Sequence, residues 1–383
     1  MAEVNRALVV GAGICGLGAG LALARNGVQT TVVEIKPDRN VLGVGINQPG
    51  NSLRAMRKLG IFDEVRESGF EINRLDFNDS DGNLIVSSPY NLAAGGTPHA
   101  IGITRPELHR ILLGHSDQEG VELRYGTTVD RFTEINGSAH VVLSDGSEEI
   151  YDLMVGADGV NSAVRELIFG ERVRPRFTGA GAWRLTVPRP EWVDSIGLFQ
   201  AIGSKAGYIP LSDDEMYILL VRPEPWPARF DLDHLPAMFR KRLEPFAGVI
   251  GDIRDRVTDG DNVLYGPIHE VRLAPPWGRG PVVLCGDAVH ACTPHMTQGA
   301  GMAFEDAVVL AEEVAHDRPV SDSLIAFANR RYPRVKLVQD ASRGILDVES
   351  SITRENRDTS FEYMRANLPR QSAEVDAVLI QAP

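Results

Sequence analysis

Cysteine is scarce in this chain. Cys15, Cys285 and Cys292 are the only three, an odd number with no CxxC spacing. That argues against a disulfide framework or a cysteine zinc site and fits a reducing compartment. No apolar run approaches the length of a membrane span, and the first residues run almost directly into a strand, leaving no room for a signal peptide. Positive charge is in deficit: 39 Lys and Arg stand against 52 Asp and Glu, a formal charge of −13. Such a surface repels nucleic acid and anionic membranes unless a basic block intervenes. The arginines near 172–176 and 238–242 are only short mixed clusters. Internal repeats and low-complexity segments are also missing. These absences predict a soluble cytoplasmic protein with neither a nucleic-acid nor a membrane partner.

What is present is a length of 383 residues with 43% apolar content, long for one core, so two domains or one domain with a large insertion are expected. Residues 6–34 read as strand, glycine turn, helix ending at Gly27, and second strand, which is one βαβ unit. A helix is expected from about Ser52 to Lys58, and an antiparallel excursion over 73–90 turns at Asp81-Gly82. Thr104-Arg105-Pro106-Glu107 is a capping-box start for a helix through Leu113. From about Phe177 to Pro276, alternating segments separated by proline-rich turns predict an antiparallel sheet. After Pro281 the βα pattern returns, and the chain finishes in helices.

Three segments carry chemistry. In GAGICG, Gly11 permits a tight turn, Gly13 lets backbone approach a pyrophosphate, and Gly16 packs helix on strand. Glu34, at the end of the second strand, can accept hydrogen bonds from ribose hydroxyls and would repel a phosphate, which argues against NADP in this slot. By itself the motif does not separate FAD from NAD, and Cys15 within it reads as a small packed residue. The second segment is DLMVGADGVNSAVR, a buried strand followed by a turn with Asp158 and Gly159, then Ser162 and Arg165. The third is PVVLCGDAVHACTPHMTQGAGMAFED, where a strand ends at Gly286-Asp287 and Gln298-Gly299-Ala300-Gly301 opens a helix. A helix start of this kind holds anionic groups.

Taken together and in this order, GAGICG with Glu34, GADG with Arg165, and CGDAVH resemble the single-component FAD-dependent aromatic hydroxylases, the para-hydroxybenzoate hydroxylase-like flavoprotein monooxygenases. The resemblance extends through about residue 340. It implies an α/β fold: a Rossmann-like FAD-binding domain, an inserted antiparallel-sheet substrate domain and a helical C-terminal tail. The segments would be 1–72, 98–172 and 278–343 for FAD binding, 73–97 and 173–277 for the substrate domain, and 344–383 for the tail. It implies FAD as cofactor and NADH or NADPH as a transient electron donor, with no nicotinamide domain of its own. The partners would be O2 and a small phenolic or hydroxylated heteroaromatic substrate, and the protein a monomer or homodimer. In the implied reaction, hydride reduces FAD, oxygen adds to give a flavin C4a-hydroperoxide, and the activated ring takes the distal oxygen.

By position, the resemblance places Gly11, Gly13, Cys15, Gly16, Glu34 and Ile35 around the ADP half and Val129 near adenine. Val44 and Gly45 would pass near the isoalloxazine, and Arg105 would reach the phosphates. Asp158 and Arg165 would support FAD and the nicotinamide encounter. Gly286 and Asp287 would bind the ribityl or pyrophosphate side. Pro294 and the helix start Gln298, Gly299, Ala300, Gly301 and Met302 would face the flavin N1/O2 edge, where a helix N-terminus stabilises the anionic reduced form. Relatives often have Gly-Gln-Gly where this chain has Thr297-Gln298-Gly299, and threonine has less backbone freedom.

On the substrate side, His295 is a candidate base for a phenol-like hydroxyl, and the string Pro294-His295-Met296-x-Gln298-Gly299-Ala300 resembles hydroxylases of hydroxylated pyridines and related acids. Tyr208 and Tyr217 are candidates to line the pocket and assist catalysis. Trp183 and Arg184 are candidates for substrate contact, Arg184 by pairing with a carboxylate. Strand alternation allows only one of Trp183 and Arg184 to face inward. No metal site is expected. Two other readings stay open: a flavoenzyme performing epoxidation, oxidative decarboxylation or reduction, and a non-catalytic flavoprotein. The tryptophans at 183, 192, 226 and 277 form no WxWxIP motif, which disfavours a halogenase.

Overall fold

Adjacent parallel strands bring together turns that lie far apart in the sequence. In the computed structural model, which describes residues 4–39, 43–226 and 230–383, the strand Arg6–Val10 occupies the middle of a six-stranded sheet. It pairs in parallel with Gln29–Glu34 on one side and Leu153–Gly156 on the other. Val282–Leu284 continues the sheet in parallel beyond Leu153–Gly156, and Glu122–Tyr125 does so beyond Gln29–Glu34. The central strands are almost wholly apolar and buried, as parallel strands covered on both faces must be. Because these strands share one direction, Val10, Glu34, Gly156 and Leu284 all end at the same edge. The glycine-and-acid turns that follow them therefore converge, as ligand-binding turns do in open α/β sheets.

A second sheet has seven strands in the order Leu264–Glu270, Arg176–Pro188, Glu215–Pro223, Ser204–Pro210, Ile196–Ala201, Arg74–Asp79, Leu84–Pro89. The early excursion and the later insertion thus share one sheet, joined by the parallel pair Arg74–Asp79 and Ile196–Ala201. One face of this sheet packs Trp183, Leu185, Tyr208, Ile218 and Leu220 against Leu235, Phe239, Leu243, Phe246 and Ile250 in a core of its own. Those partners come from the helices Leu235–Arg242 and Gly248–Arg254 and the turn between them, in a stretch where the sequence predicted only strands. The helices are seven or eight residues long, too short for a periodic signal to stand out. The opposite face turns Ile209 and Tyr217 into the core of the first sheet.

The C-terminal region corrects one expected boundary. A single helix runs from Val320 to Ser350, so a division at 343/344 would cut a continuous element. The next helix, Arg357–Leu379, lies along the strand Leu84–Pro89, where Arg365 donates to the carbonyl of Ile85 at 3.0 Å. Arg54 and Arg334 both donate to the carbonyl of Leu379, at 2.7 and 3.1 Å. Among the described residues, no helix is long and apolar enough to cross a membrane. Nor does any group of His, Cys, Asp or Glu among them make a metal site.

Candidate active site

The first turn is built by two glycines that admit no side chain. Gly11 has φ +102°, and a Cβ there would lie 2.6 Å from the carbonyl oxygen of Ala157. At Gly16 a Cβ would lie 1.7 Å from the carbonyl oxygen of Gly11, which locks the start of the helix Ile14–Arg25 onto the turn. Gly13, the residue capping that helix, faces open space with nothing within 4 Å. Turn and helix therefore present unpaired N–H groups to an empty side, the arrangement an anionic group needs. Glu34 accepts the N–H of Ala12 at 2.9 Å and that of Lys36 at 3.0 Å, so its carboxylate stands beside the turn. Ile35 is exposed next to it. Val129 is buried and stands two residues after Thr127, whose N–H donates to the carbonyl of Glu34 at 3.0 Å. His109, which sequence reasoning passed over, donates from Nε2 to the carbonyl of Ala12 at 2.9 Å and fixes the turn from the helix Arg105–Gln118.

The second turn divides its two named residues. Oδ2 of Asp158 accepts the N–H of Val164 at 3.0 Å, while its Oδ1 is buried with no partner among the described residues. That oxygen is available to a ligand. The guanidinium of Arg165 donates to the carbonyls of Ala288 at 2.9 Å, Val160 at 2.8 Å and Val173 at 3.2 Å. Arg165 thereby ties the second turn to the third, with three of its five N–H groups engaged by backbone carbonyls.

At the third turn, Gly286 has φ +59°, and a Cβ there would meet Sγ of Cys15 at 2.7 Å. Cys15 is thus a spacer between the first and third turns. Burial, then the nearby Asp306, raises its thiol well above the ordinary value, so it is inert. Asp287 is exposed beside the turn and makes no hydrogen bond or ion pair among the described residues. Behind it, Asp306 accepts the N–H of Gly286 at 2.9 Å, Nε2–H of His290 at 2.6 Å and Nε–H of Arg331 at 2.8 Å. Burial opposes ionisation of this carboxyl, but His290 and Arg331 outweigh it and bring it down to about 2. Arg331 also pairs with Glu305 at 2.8 Å. Asn51 donates to Glu305 at 3.0 Å and exchanges hydrogen bonds with the Gln298 side chain at 2.9 and 3.0 Å. This buried network holds the start of the helix Gly299–Val314 in place. The side chain of Gln298 is thereby occupied, and the amides of Gly299, Ala300 and Gly301 remain at the helix N-terminus.

The loop before that helix passes through Pro294, His295 and Thr297. Thr297 has φ +52°, a left-handed conformation that costs a β-branched residue about 1–2 kcal/mol. Its Oγ1 accepts from Nδ2 of Asn47 at 3.1 Å, and the same Nδ2 donates to the hydroxyl of Tyr90 at 3.0 Å. The strand Gly45–Pro49 presses against the second sheet, since a Cβ at Gly45 would lie 2.2 Å from Leu211 and 2.4 Å from Tyr217. Val44 precedes it, accepting the N–H of Arg105 at 2.9 Å. Arg184 lies on this face with Tyr217, and Arg105 is near enough to act on both. The helix-covered face holds Trp183, with its Nε1–H donated to Glu224 at 3.1 Å, and Tyr208. Trp183 and Tyr208 therefore lie on the opposite sheet face from Arg184 and Tyr217, so the four candidates do not converge on one side. A cavity of about 560 Å³ beside Tyr208, Trp192 and Arg74 opens from that far side and shares no residue with the converging turns.

A family model described as a FAD binding domain matches residues 5–245 and 253–342. The chain belongs to that family. Curated relatives include 2-heptyl-3-hydroxy-4(1H)-quinolone synthase of Pseudomonas aeruginosa, 31% identical over 88% of this chain and 87% of that protein. Another is 6-hydroxynicotinate 3-monooxygenase of Bordetella bronchiseptica, 28% identical over 94% and 95%. Klebsiella pneumoniae HpxO, solved with FAD and uric acid, superposes with a TM-score of 0.89 at 25% identity, covering 99% of this chain and 97% of that one. This protein is a FAD-dependent monooxygenase of the single-component aromatic hydroxylase kind.

The residues fit the cofactor. The open side of Gly13, the free Oδ1 of Asp158, the exposed Asp287 and the amides at Gly299–Gly301 lie along the edge where the strands of the first sheet end. A long ligand with a pyrophosphate in its middle and an anionic ring at one end meets a suitable group at each point. Sequence reasoning missed Asn47, Tyr90, Asn51, Glu305, Asp306 and Arg331. Only Asp306 carried a local signal, as the acid ending the glycine-rich segment.

Proposed function

We propose that the protein hydroxylates a small aromatic or heteroaromatic acid, with reduced nicotinamide and O2 as co-substrates, and that Arg184 receives the acid group. The observation that carries this reading is the state of Arg184. It lies on the sheet face shared with Tyr217, largely enclosed, and makes no hydrogen bond or ion pair among the described residues. Burial pulls its guanidinium below the ordinary value, yet arginine stays charged in proteins. An enclosed unpaired cation is costly, and a carboxylate is its natural complement.

Bound FAD supplies the electron transfer from nicotinamide to dioxygen and the oxygen-transferring reagent. The chain supplies position and dryness. The N–H groups of the first helix and the acids of the three turns hold the dinucleotide, and the amides at Gly299–Gly301 favour negative charge at the ring edge. Asn47, Tyr90 and Thr297 close the side toward the second sheet. The relatives' substrates include a hydroxynicotinate and urate, both anionic rings, which supports the same class here.

The test is NAD(P)H oxidation by the purified flavoprotein over hydroxylated ring acids and their neutral esters, with labelled oxygen followed into product by mass spectrometry. Acids should stimulate oxidation and gain one oxygen atom. Arg184→Met should raise KM for the acid about 10–100-fold, the effect of losing a charge-assisted hydrogen bond, with flavin content unchanged. Equal turnover of acid and ester would remove Arg184 from substrate recognition. Flavin-bound protein silent across the panel would remove the hydroxylase reading for these substrates.

A further inference from the structure

His295, Glu349 and Lys205 come from three separate elements and meet in the protein interior. The short turn Pro294–Met296 brings His295, the last turn of the helix Val320–Ser350 brings Glu349, and the strand Ser204–Pro210 brings Lys205. Nε2 of His295 lies 3.3 Å from Oε2 of Glu349, and Nζ of Lys205 lies 2.6 Å from Oε1 of the same carboxylate. The side chains are 0%, 12% and 7% exposed. Nδ1 of His295 is buried with no partner among the described residues. The Nε2 approach is within ion-pair reach but outside hydrogen-bond geometry.

We propose that Glu349 is a positioning residue that holds the Nε2 proton of His295, so that Nδ1 is left bare to take the proton of a substrate hydroxyl. This rests on the hydroxylase reading above. A carboxylate beside one imidazole nitrogen sets which nitrogen carries the proton, and the other becomes the acceptor. In the step, the substrate O–H bond breaks and an Nδ1–H bond forms, the electron pair stays on the substrate oxygen, and nothing is oxidised or reduced. The resulting imidazolium faces an anion that Lys205 keeps in place. An unpartnered buried ring nitrogen costs about 1–3 kcal/mol, which a hydroxyl-bearing ligand recovers. The neighbouring loop supports the placement: Thr297, two residues on, is bonded to Asn47, which also bonds Tyr90.

The charged groups acting on His295 are Lys205, Glu349 and, more weakly, Asp347. Burial first, then Lys205, pushes the imidazole below its ordinary value, while Glu349 opposes them. The base form is therefore present at neutral pH and lost only as the solution becomes more acidic. This gives opposed expectations. Glu349→Gln should lower the imidazole further, moving the acid limb of kcat/KM for hydroxylation to lower pH and cutting the plateau rate by about 10–100-fold, at or below the usual range for general-base catalysis. Lys205→Met should move the same limb to higher pH.

The experiment measures both profiles on flavin-loaded wild type and variants. In parallel, a nitrophenol carboxylate bound to each protein is titrated by its phenolate absorbance. Its apparent pKa should rise by about one unit or more in Glu349→Gln, a tenfold weaker proton acceptor. Opposed limb shifts with the absorbance change establish the dyad. Shifts in one direction, or none, overturn it while wild-type turnover keeps the hydroxylase reading intact. Should turnover be absent in wild type, the absorbance titration still decides the dyad. If Glu349→Gln does not retain FAD, Lys205→Met and His295→Asn decide by the same two readouts.

Discussion

Nε2 of His290 lies 2.6 Å from Oδ2 of Asp306, and the same oxygen accepts the N–H of Gly286 at 2.9 Å. One buried carboxylate thus joins the Gly-Asp turn to the start of the helix Gly299–Val314. The positive-φ turn at Gly286 and the helix start are positioned by a single charge that the solvent never sees.

Removing that charge should be costly. Asp306→Asn leaves Arg331 with one fewer partner in the interior, and loss of one member of a buried ionic group typically destabilises by about 3–5 kcal/mol. The Asp306 carboxyl titrates at about 2 in the folded chain against an ordinary 3.8. Its contribution is therefore complete above the ordinary value and is lost as the pH falls through about 2, roughly 2 kcal/mol by linkage. Urea unfolding at several pH values should show this acid-side loss in wild type and a shallower one in Asp306→Asn. Equal slopes would mean that another group governs acid unfolding.

Gly16→Ala and Gly13→Ala should fail differently. The first places a methyl 1.7 Å from the Gly11 carbonyl oxygen, whereas the second meets nothing within 4 Å. Gly16→Ala should lose soluble, folded protein. Gly13→Ala should fold with an unchanged melting temperature as apoprotein but bind FAD about tenfold or more weakly, as fluorescence titration of the apoprotein would show. Unaltered affinity in Gly13→Ala would place the pyrophosphate elsewhere.

Asp287 is exposed at the converging turns and lacks an ion-pair partner among the described residues. Its removal should leave the fold untouched while depriving FAD of a hydrogen-bond acceptor. Asp287→Ala is expected to purify largely colourless, with a circular dichroism spectrum like that of wild type. A fully yellow preparation would take this residue out of the cofactor site.

Asp376 presents the reverse sign. Burial raises its carboxyl to about 6 against an ordinary 3.8, although it accepts the N–H of Asn91 at 3.3 Å. The folded chain therefore holds the neutral form more readily than the unfolded one, and stability is lost as the pH rises between those values. Asp376→Asn should raise the melting midpoint above neutrality, by about 1 kcal/mol after allowing for solvent screening. The gain should vanish toward about pH 4. A gain independent of pH would point to helix propensity instead.

The cofactor side could be read from local strings because each turn's chemistry is local. A positive φ at Gly11, a close approach at Gly16 and an acid at a strand end need only their neighbours in sequence. The substrate side could not be read in this way. Trp183 and Arg184 are adjacent, and only the pairing of their strand decides that tryptophan enters the helix-covered core while arginine faces Tyr217. Arg165 reads as a cofactor ligand beside GADG, yet three of its five N–H groups go to the carbonyls of Ala288, Val160 and Val173, and Ala288 is brought near only by the parallel sheet.

Sequence alone therefore determined that this chain carries three nucleotide-binding turns in flavoprotein order, since those depend on backbone geometry encoded within a few residues. Tertiary structure alone decided which side chains meet beyond them: His290 with Asp306, Asn47 with Thr297, and Glu349 with His295. Strand parity and helix packing set those meetings, and neither is written in the spacing of the residues involved.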